Sequence, residues 1–362
     1  MDSFADDFGP IKIIHMNEPV LKLQSIVVID NVALGPAIGG CRMAVDVTTR
    51  EVFRLARAMT LKNALSDLPH GGAKSAILAD PTTWNKEILI RQFAKSIKQL
   101  TDYIPGPDMG TDEACMAYIH DETGRAVGLP KSLGGLPLDE LGMTGYGIAI
   151  SADTASKFLG LHLENARVFI QGFGNVGKAA GRFLVERGVK VIATCDSKGA
   201  IYNPIGIDIP ALIEFVKVSH SVQGSRLGEN ISNAKMLEVE SDIFIPAARP
   251  DIYTELNQHL LKTRLVLEGA NIPITHGAAK QMYQRGIVII PDVIANAGGV
   301  ICAASELAKM SESQAFERVK KTVSANTEAV LLRTREENIA PHEAALKMAK
   351  DKLLKSNTLP TQ

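Results

Sequence analysis

The sequence lacks the features that mark secreted, membrane-spanning and metal-stapled proteins. Its cysteines are few and widely separated, at positions 41, 115, 195 and 302, which excludes a disulfide framework and a zinc-type pair. No apolar run approaches the roughly 20 residues that a membrane helix needs, and the acidic N-terminus has no signal-peptide pattern. We therefore expect a cytoplasmic protein without a metal site, because unpaired cysteines are typical of reducing compartments.

An excess of charge of one sign is also missing. Lysine and arginine total 39 and aspartate and glutamate 40, so the formal net charge is −1. That balance gives no electrostatic reason to expect a nucleic acid or an anionic membrane as a partner. The 362 residues are 46% apolar and 22% charged, which predicts a soluble globular protein of two or three domains.

A glycine-rich turn is the most informative feature that the chain does have. An apolar run at 168–170 predicts a buried strand, and it leads into a G-x-G-x-x-G turn and a helix expected at 178–187. A second apolar run, 189–194, ends at Asp196, which lies 19 positions after Gly177 (196 − 177). This order is typical of a dinucleotide site, in which glycines let backbone N–H groups approach a pyrophosphate. A tight structural turn is the alternative. The predicted cofactor residues are Gly172, Gly174, Asn175, Val176, Gly177 and Asp196.

The remaining pattern predicts an α/β fold. A capping box at 48–51 opens a helix expected to reach Ser66, another helix is expected at 87–100, and 20–29 reads as one or two strands. In the second half, strands alternate with helices, which favours a doubly wound parallel sheet. The predicted later strands are 168–170, 189–194, 242–245, 265–267 and 286–290, and the predicted C-terminal helices are 299–308, 312–336 and 341–354.

We expect two domains, joined at a glycine- and proline-rich stretch, 134–144. Residues 1–142 would form an α/β substrate-binding and catalytic domain, and 143–337 a Rossmann-type dinucleotide-binding domain. Residues 338–362 would pack back on the first domain.

Two lysines and one aspartate upstream of the turn could supply the chemistry. Lys62 lies on the flank of an apolar helix face, and Lys74 follows glycines that allow another group to approach closely. Two ammonium groups held together, one partly buried, would lower one pKa and produce a base near neutral pH. Asp108, held between prolines and glycines, could relay protons beside it. The alternatives are solvated surface lysines and a turn-capping aspartate.

Taken together, the motifs resemble the glutamate/leucine/phenylalanine/valine dehydrogenase superfamily, in order along nearly the whole chain. The resemblance implies NAD(P)-dependent oxidative deamination of an L-amino acid to a 2-oxo acid and ammonia. The motifs are GPAIGGCRM (35–43), AMTLKNA (58–64), GGAKS (71–75), PGPDMGT (105–111), MTGYG (143–147), GFGNVG (172–177), CDSKGAIYNPIGID (195–208), EGANIPIT (268–275) and NAGGV (296–300).

The resemblance also implies roles for individual residues. Lys62 resembles the lysine that binds the substrate α-carboxylate, Lys74 the catalytic lysine that activates water, and Asp108 the acid/base at the amino nitrogen. Asn271 and Asn296 resemble the amides near the nicotinamide and the substrate. Further residues implied at the cofactor are Thr144 and Ala247, and further residues implied at the substrate are Ile38, Gly39, Met59, Gly106, Val300 and Ala303.

The resemblance divides over the substrate. Glutamate dehydrogenases carry a lysine where this chain has Ile38 and a serine where it has Ala303. Burying an unpaired carboxylate costs several kcal/mol, so we expect an apolar L-amino acid of the leucine, valine or phenylalanine type. The segments 195–208 and 268–275 are more similar to glutamate dehydrogenases, so glutamate is the alternative.

Two questions stay open at this level. Asp196 favours NAD, because a carboxylate accepts ribose hydroxyls and repels a 2′-phosphate, but Lys198 could neutralise that phosphate, so NADP is the alternative. The rival classes are a 2-hydroxy-acid dehydrogenase, whose catalytic histidine has no suitable candidate among 15, 70, 120 and 276, and a non-catalytic nucleotide sensor. By resemblance the partners are the small-molecule substrates and other copies of the chain in a homo-oligomer.

Overall fold

A computed structural model describes residues 4–357 of the chain. The chain folds into two compact units. The first comprises the chain up to Leu141, Val300–Phe316 and the chain from Ala349 onward, and the second comprises Gly142–Gly299 and Glu317–Met348. The sequence predicts domain boundaries at 142/143 and 337/338, and these boundaries stay a prediction.

The first unit is built on one five-stranded sheet with the order β1-β2-β4-β3-β5. Strands β1, β2 and β4 pair antiparallel, whereas β3 runs parallel to both β4 and β5. The elements are β1 (Lys12–Glu18), β2 (Leu23–Asn31), β3 (Ala37–Met43), α1 (Thr49–Leu65), β4 (Gly72–Ile77), α2 (Lys86–Ser96), β5 (Tyr103–Pro107), α3 (Glu113–Thr123), a 3-10 turn (Lys131–Leu133) and α4 (Leu138–Leu141).

Strand β2 shows why this sheet has helices on both faces. Successive side chains of a strand point to opposite faces, and here both sets are buried. Val27 and Ile29 join the core that contains α2 and α3, whereas Ile26 and Val28 join a second core that contains α1. A central strand with two buried faces reads as a continuous apolar run.

Helix α1 begins where the sequence predicts. The Thr48 hydroxyl accepts a hydrogen bond from the Glu51 backbone N–H at 3.2 Å, as an N-cap does. In a complete capping box the Glu51 carboxylate would accept from the Thr48 backbone N–H. Here that carboxylate pairs with Arg42 instead.

The second unit contains a seven-stranded sheet with the order β12-β11-β10-β6-β7-β8-β9. The pairs from β12 to β7 are parallel, and β8 and β9 add an antiparallel edge that the sequence analysis did not include. Its elements are α5 (Met143–Leu159), β6 (Arg167–Gln171), α6 (Asn175–Val185), β7 (Lys190–Cys195), β8 (Ala200–Tyr202), α7 (Ile209–Ser219), β9 (Glu229–Ile231), α8 (Asn233–Met236), β10 (Ile243–Pro246), a 3-10 turn (Gln258–Leu260), β11 (Leu265–Leu267), α9 (His276–Gln284), β12 (Val288–Ile290) and α10 (Asp292–Ala295).

Three C-terminal helices complete the fold: α11 (Gly298–Leu307), α12 (Glu312–Glu337) and α13 (Pro341–Asn357). The predicted α/β class with two α/β units is confirmed. The end of α13 returns to the first unit as predicted, because Lys352 Nζ lies 2.7 Å from Asp67 and donates to the Leu65 carbonyl at 2.9 Å. Within residues 4–357, no helix combines the length and apolar character that crossing a membrane requires.

Candidate active site

Three charged side chains meet at the parallel strands of the first unit. Lys74 lies on β4, Arg42 near the end of β3, and Asp108 directly after β5. Lys74 Nζ contacts Asp108 Oδ1 at 2.5 Å, and Arg42 Nε donates to Asp108 Oδ2 at 2.7 Å. The strand register explains the meeting, because Cys41 pairs with Ser75 on one side and Pro107 on the other, next to all three residues.

The surroundings of this cluster perturb its ionisation. Burial lowers the pKa of Lys74, the negative charge of Asp108 opposes that effect, and the positive charge of Arg42 adds to it, so the pKa is lowered overall. For Asp108, burial raises the pKa, but the charges of Lys74 and Arg42 outweigh it and lower the pKa to about 2. The site therefore combines an ionised carboxylate with an amine that loses its proton more readily than a free lysine.

Neighbouring groups hold Asp108 in place. The Thr111 hydroxyl accepts from the Asp108 backbone N–H at 3.0 Å and donates to the Cys41 carbonyl at 2.8 Å. A Cβ on Gly40 would lie 2.8 Å from the Asp108 Cβ, so the glycine leaves the space that this side chain occupies. The carboxylate binds Lys74 and Arg42, whereas Thr111 makes the local turn contacts, so Asp108 is not a simple turn cap.

Lys62 lies in the last turn of α1, which packs against the start of β4. Its side chain is buried, and Met59, one turn earlier, is buried too. The Asn63 amide donates to the Gly71 carbonyl at 2.6 Å. A Cβ on Gly72 would come within 2.0 Å of the Thr60 backbone nitrogen. Gly72 thus lets α1 lie directly on the segment that leads to Lys74, and the hydrogen bond to Gly71 holds it there.

A small apolar cluster lies in the same unit. Ile38, Val127 and Ala303 are buried against one another, and Ile104 and Leu138 pack on them. Gly106 on β5 borders the cluster, since a Cβ there would lie 3.1 Å from Val127. Gly39 occupies a tight site on β3, because its Cβ would meet the Ala73 carbonyl at 1.8 Å. Val300 is half-buried on α11.

The glycine turn in the second unit forms a phosphate-sized cradle. Gly172 has φ +100°, and Gly174 is the N-cap of α6, so the positive end of the helix dipole lies at this turn. A Cβ on Gly174 would enter open space, and a Cβ on Gly177 would meet the Gly172 carbonyl at 1.9 Å. The open space at Gly174 leaves room for a dinucleotide pyrophosphate, and Gly177 lets α6 pack closely on the turn. Helix α6 begins at Asn175, three residues before the predicted start, because the turn itself is helical there.

Beside this turn is a cavity of about 510 Å³. Its walls include both predicted and unpredicted residues. It is lined by Gln171, Gly172, Phe173, Gly174, Cys195, Asp196, Ser197, Met236, Leu237, Ala247, Ala248, Arg249 and Ile252. The volume and the mixture of apolar and polar walls fit the adenosine half of a dinucleotide.

Two amides predicted from the resemblance lie together. Asn296 Nδ2 is 3.3 Å from Asn271 Oδ1 and donates to the carbonyls of Gly269 and Ala270. Its Oδ1 is buried and accepts no hydrogen bond from the described residues. An acceptor left open in a buried position fits a ligand that donates a hydrogen bond. Thr144 lies on the first turn of α5.

Sequence reasoning missed Arg42, Glu51, Val127 and Glu306. Arg42 stands within the 35–43 motif, but its contact with Asp108 spans 66 positions and is not visible in the spacing. Glu306 accepts backbone hydrogen bonds from Gly128, Leu129 and Leu136, which fixes the loop next to Val127.

Within residues 4–357 there is no group of histidine, cysteine or acidic residues able to hold a metal ion.

Comparison with known proteins extends these observations. Residues 134–359 match the family model described as glutamate/leucine/phenylalanine/valine dehydrogenase, and 11–125 match the one described as its dimerisation domain. The chain is 40% identical to the NADP-specific glutamate dehydrogenase of Saccharolobus shibatae over 75% of this chain and 67% of that protein. It is 34% identical to the catabolic NAD-specific glutamate dehydrogenase of Bacillus subtilis over 88% of this chain and 78% of that one.

A solved structure agrees. The hetero-hexameric glutamate dehydrogenase of Thermus thermophilus, in a leucine-bound form, superposes with a TM-score of 0.89 at 27% identity, over 96% of this chain and 89% of that one. These matches decide against the hydroxy-acid dehydrogenase and the non-catalytic sensor that the sequence left open. The chain belongs to the glutamate/leucine/phenylalanine/valine dehydrogenase family, and it is an NAD(P)-dependent amino-acid dehydrogenase that acts on a CH–NH₂ group.

Proposed function

We propose that this enzyme deaminates an apolar L-amino acid reversibly, with Lys74 and Asp108 as the catalytic residues. The observation that carries the catalytic assignment is the buried contact of 2.5 Å between these two side chains. NAD(P) would accept the hydride from the substrate Cα.

The chemistry follows from the two ionisation states. A buried amine with a lowered pKa is unprotonated more often, and in that form it can take a proton from the water that attacks the imine carbon. Asp108 is ionised and can accept a proton from the substrate ammonium, then return it to the departing nitrogen. Lys62, buried on α1, would pair with the α-carboxylate and orient the substrate.

The choice of substrate rests on the apolar cluster. Ile38, Val127 and Ala303 offer neither a charge nor a hydrogen bond to a side-chain carboxylate. A carboxylate placed against them would lose its hydration without compensation, at a cost of several kcal/mol. Together with Gly106 and Val300, these residues would form the pocket for an aliphatic or aromatic side chain.

Glutamate is the second candidate, and the comparisons favour it over the apolar type. The relatives named above are glutamate dehydrogenases from three organisms. Glutamate would require a cation or hydroxyl from outside the Ile38–Val127–Ala303 cluster.

A substrate panel decides between the two. Reduced nicotinamide is followed by absorbance with L-leucine, L-valine, L-phenylalanine and L-glutamate, each with NAD and with NADP. We expect kcat/KM for the apolar substrates to exceed that for glutamate by about a hundredfold or more, given the cost of the unpaired carboxylate. A preference for glutamate would refute the pocket assignment, and turnover of neither class would refute the catalytic assignment.

We also propose that the enzyme is a homo-oligomer. Support comes from the family model matching 11–125, which is described as a dimerisation domain; the hetero-hexameric relative supports oligomerisation, though not identical subunits. Light scattering at several protein concentrations would test this, and a monomer throughout would refute it.

A further inference from the structure

Asp196 is the residue from which the sequence predicts a preference for NAD, yet its carboxylate is already bound by its own loop. Oδ1 accepts from the backbone N–H groups of Lys198, at 2.7 Å, and Gly199, at 3.1 Å. Oδ2 accepts from the Val222 N–H at 2.6 Å.

A carboxylate has about four lone-pair positions, and these three N–H donors leave at most one of them open. Two ribose hydroxyls could therefore bind Asp196 only by displacing at least one of these donors, two of which close the 196–199 turn while the third links it to Val222. Breaking the bond to Gly199 or Val222, which are both buried, would leave an N–H group unsatisfied, whereas Lys198 is exposed. Asp196 therefore acts as a structural cap on this turn, and the N–H groups around it offset its negative charge.

The same cavity contains one arginine. Arg249 follows β10, is exposed, and makes no hydrogen bond or ion pair with residues 4–357. A planar guanidinium binds a phosphate through two parallel hydrogen bonds. Met236, Leu237 and Ile252 supply an apolar wall suited to a planar base. Lys198, the cation considered from the sequence, is exposed and does not line the cavity in the described part of the chain.

We propose that Asp196 builds the cofactor loop instead of reading the ribose, and that Arg249 holds the 2′-phosphate, so that the enzyme binds NADP at least as well as NAD. This inference rests on the assignment of the 510 Å³ cavity to the adenosine half of the cofactor. It deepens the established NAD(P) dependence by naming Arg249 as the residue that selects between NAD and NADP.

Binding of adenosine fragments tests the proposal without catalysis. Calorimetry on the full-length protein compares AMP with 2′,5′-ADP, which differ only in the 2′-phosphate. We expect the wild type to bind 2′,5′-ADP no more weakly than AMP. Arg249→Gln should weaken 2′,5′-ADP by roughly tenfold or more, the usual effect of losing a charge-assisted pair, and leave AMP almost unchanged. Lys198→Gln is the matched control and should change neither.

Other outcomes overturn the inference in distinguishable ways. If neither fragment binds, the cavity assignment fails as well. If AMP binds much more tightly than 2′,5′-ADP, or if Lys198→Gln has the effect expected of Arg249→Gln, only the selection mechanism fails. Equal weakening of both fragments by Arg249→Gln would place the arginine at the shared 5′-phosphate and also overturn it.

Asp196→Asn separates the two roles of that residue. If Asp196 caps the loop, this variant should melt at a lower temperature without ligand, and the ratio of its affinities for AMP and 2′,5′-ADP should be unchanged. If Asp196 binds the ribose, the variant should lose AMP binding selectively, which would contradict the proposal. If this variant does not fold, the Arg249→Gln comparison still decides.

Discussion

Replacing Arg42 by glutamine should move the acidic limb of the pH–rate profile to higher pH. Arg42 and Lys74 bind opposite oxygens of Asp108. Two unit charges so placed, roughly 5 Å apart, repel by about 3 kcal/mol at an effective dielectric constant of ~20. That energy corresponds to about two pKa units. Because the positive charge of Arg42 lowers the pKa of Lys74, its removal raises that pKa.

Asp108 itself should stay ionised in the variant. Its pKa is about 2 with both cations present, and a rise of about two units still leaves it deprotonated at neutral pH. The limb in log kcat/KM for oxidative deamination therefore reports the amine that must lose its proton, and it should shift upward by about one to two pH units.

Two controls make the assay specific. Arg42→Lys keeps the charge, so the limb should remain near its wild-type position even though the rate falls. Arg91→Gln removes an arginine that pairs with Glu87 and Asp121 on the surface of the same unit, so the profile should not move. An unshifted limb in a folded Arg42→Gln variant would refute the electrostatic reasoning.

Three further predictions follow from the site and its surroundings. Ile38→Lys combined with Ala303→Ser should raise the ratio of glutamate to leucine turnover by roughly tenfold or more, because a buried carboxylate gains a charge-assisted partner; an unchanged ratio would count against the pocket. Asp108→Asn should lower kcat by about a hundredfold or more while calorimetry shows unaltered cofactor binding, and retained activity would exclude it as the acid/base. Burial lowers the pKa of His342, but the carboxylate of Glu268, 3.1 Å away, raises it by more, so the pKa is raised overall. Because its folded pKa is raised, His342 stabilises the folded protein fully below pH 6.5, and this stabilisation disappears as the pH rises through the folded pKa. His342→Gln should therefore lower the free energy of unfolding more in acid than in alkali. Equal losses in urea titrations at the two pH values would contradict this.

Local sequence signals located the main chemical groups but not their partners. Glycines before Lys74 and prolines around Asp108 marked both residues, because close approach and rigid turns depend on residues next to them. The contact of Arg42 with Asp108 depends on which strands become neighbours in the sheet, and a single sequence does not state that order.

Asp196 illustrates the same division. Its spacing from Gly177 is a local property and correctly predicted a position at the end of β7, on the wall of the cavity. Its hydrogen bond with Val222 spans 26 positions and depends on the loop conformation. Two strands of the second sheet, β8 and β9, were also missed, because they form an antiparallel edge outside the alternation of strands and helices that marked the parallel strands.

The first unit is assembled from pieces that are distant along the chain, and this has a consequence for biosynthesis. Ala303 completes the cluster around Ile38, and Lys352 fastens the last helix to Asp67 and Leu65. A ribosome delivers the N-terminal part first, so the cluster around Ile38 stays incomplete until Ala303 is made, whereas the cores on the two faces of β2 need no residue beyond 129. The sheet of the second unit, by contrast, lies wholly within Gly142–Gly299 and can form from one uninterrupted stretch.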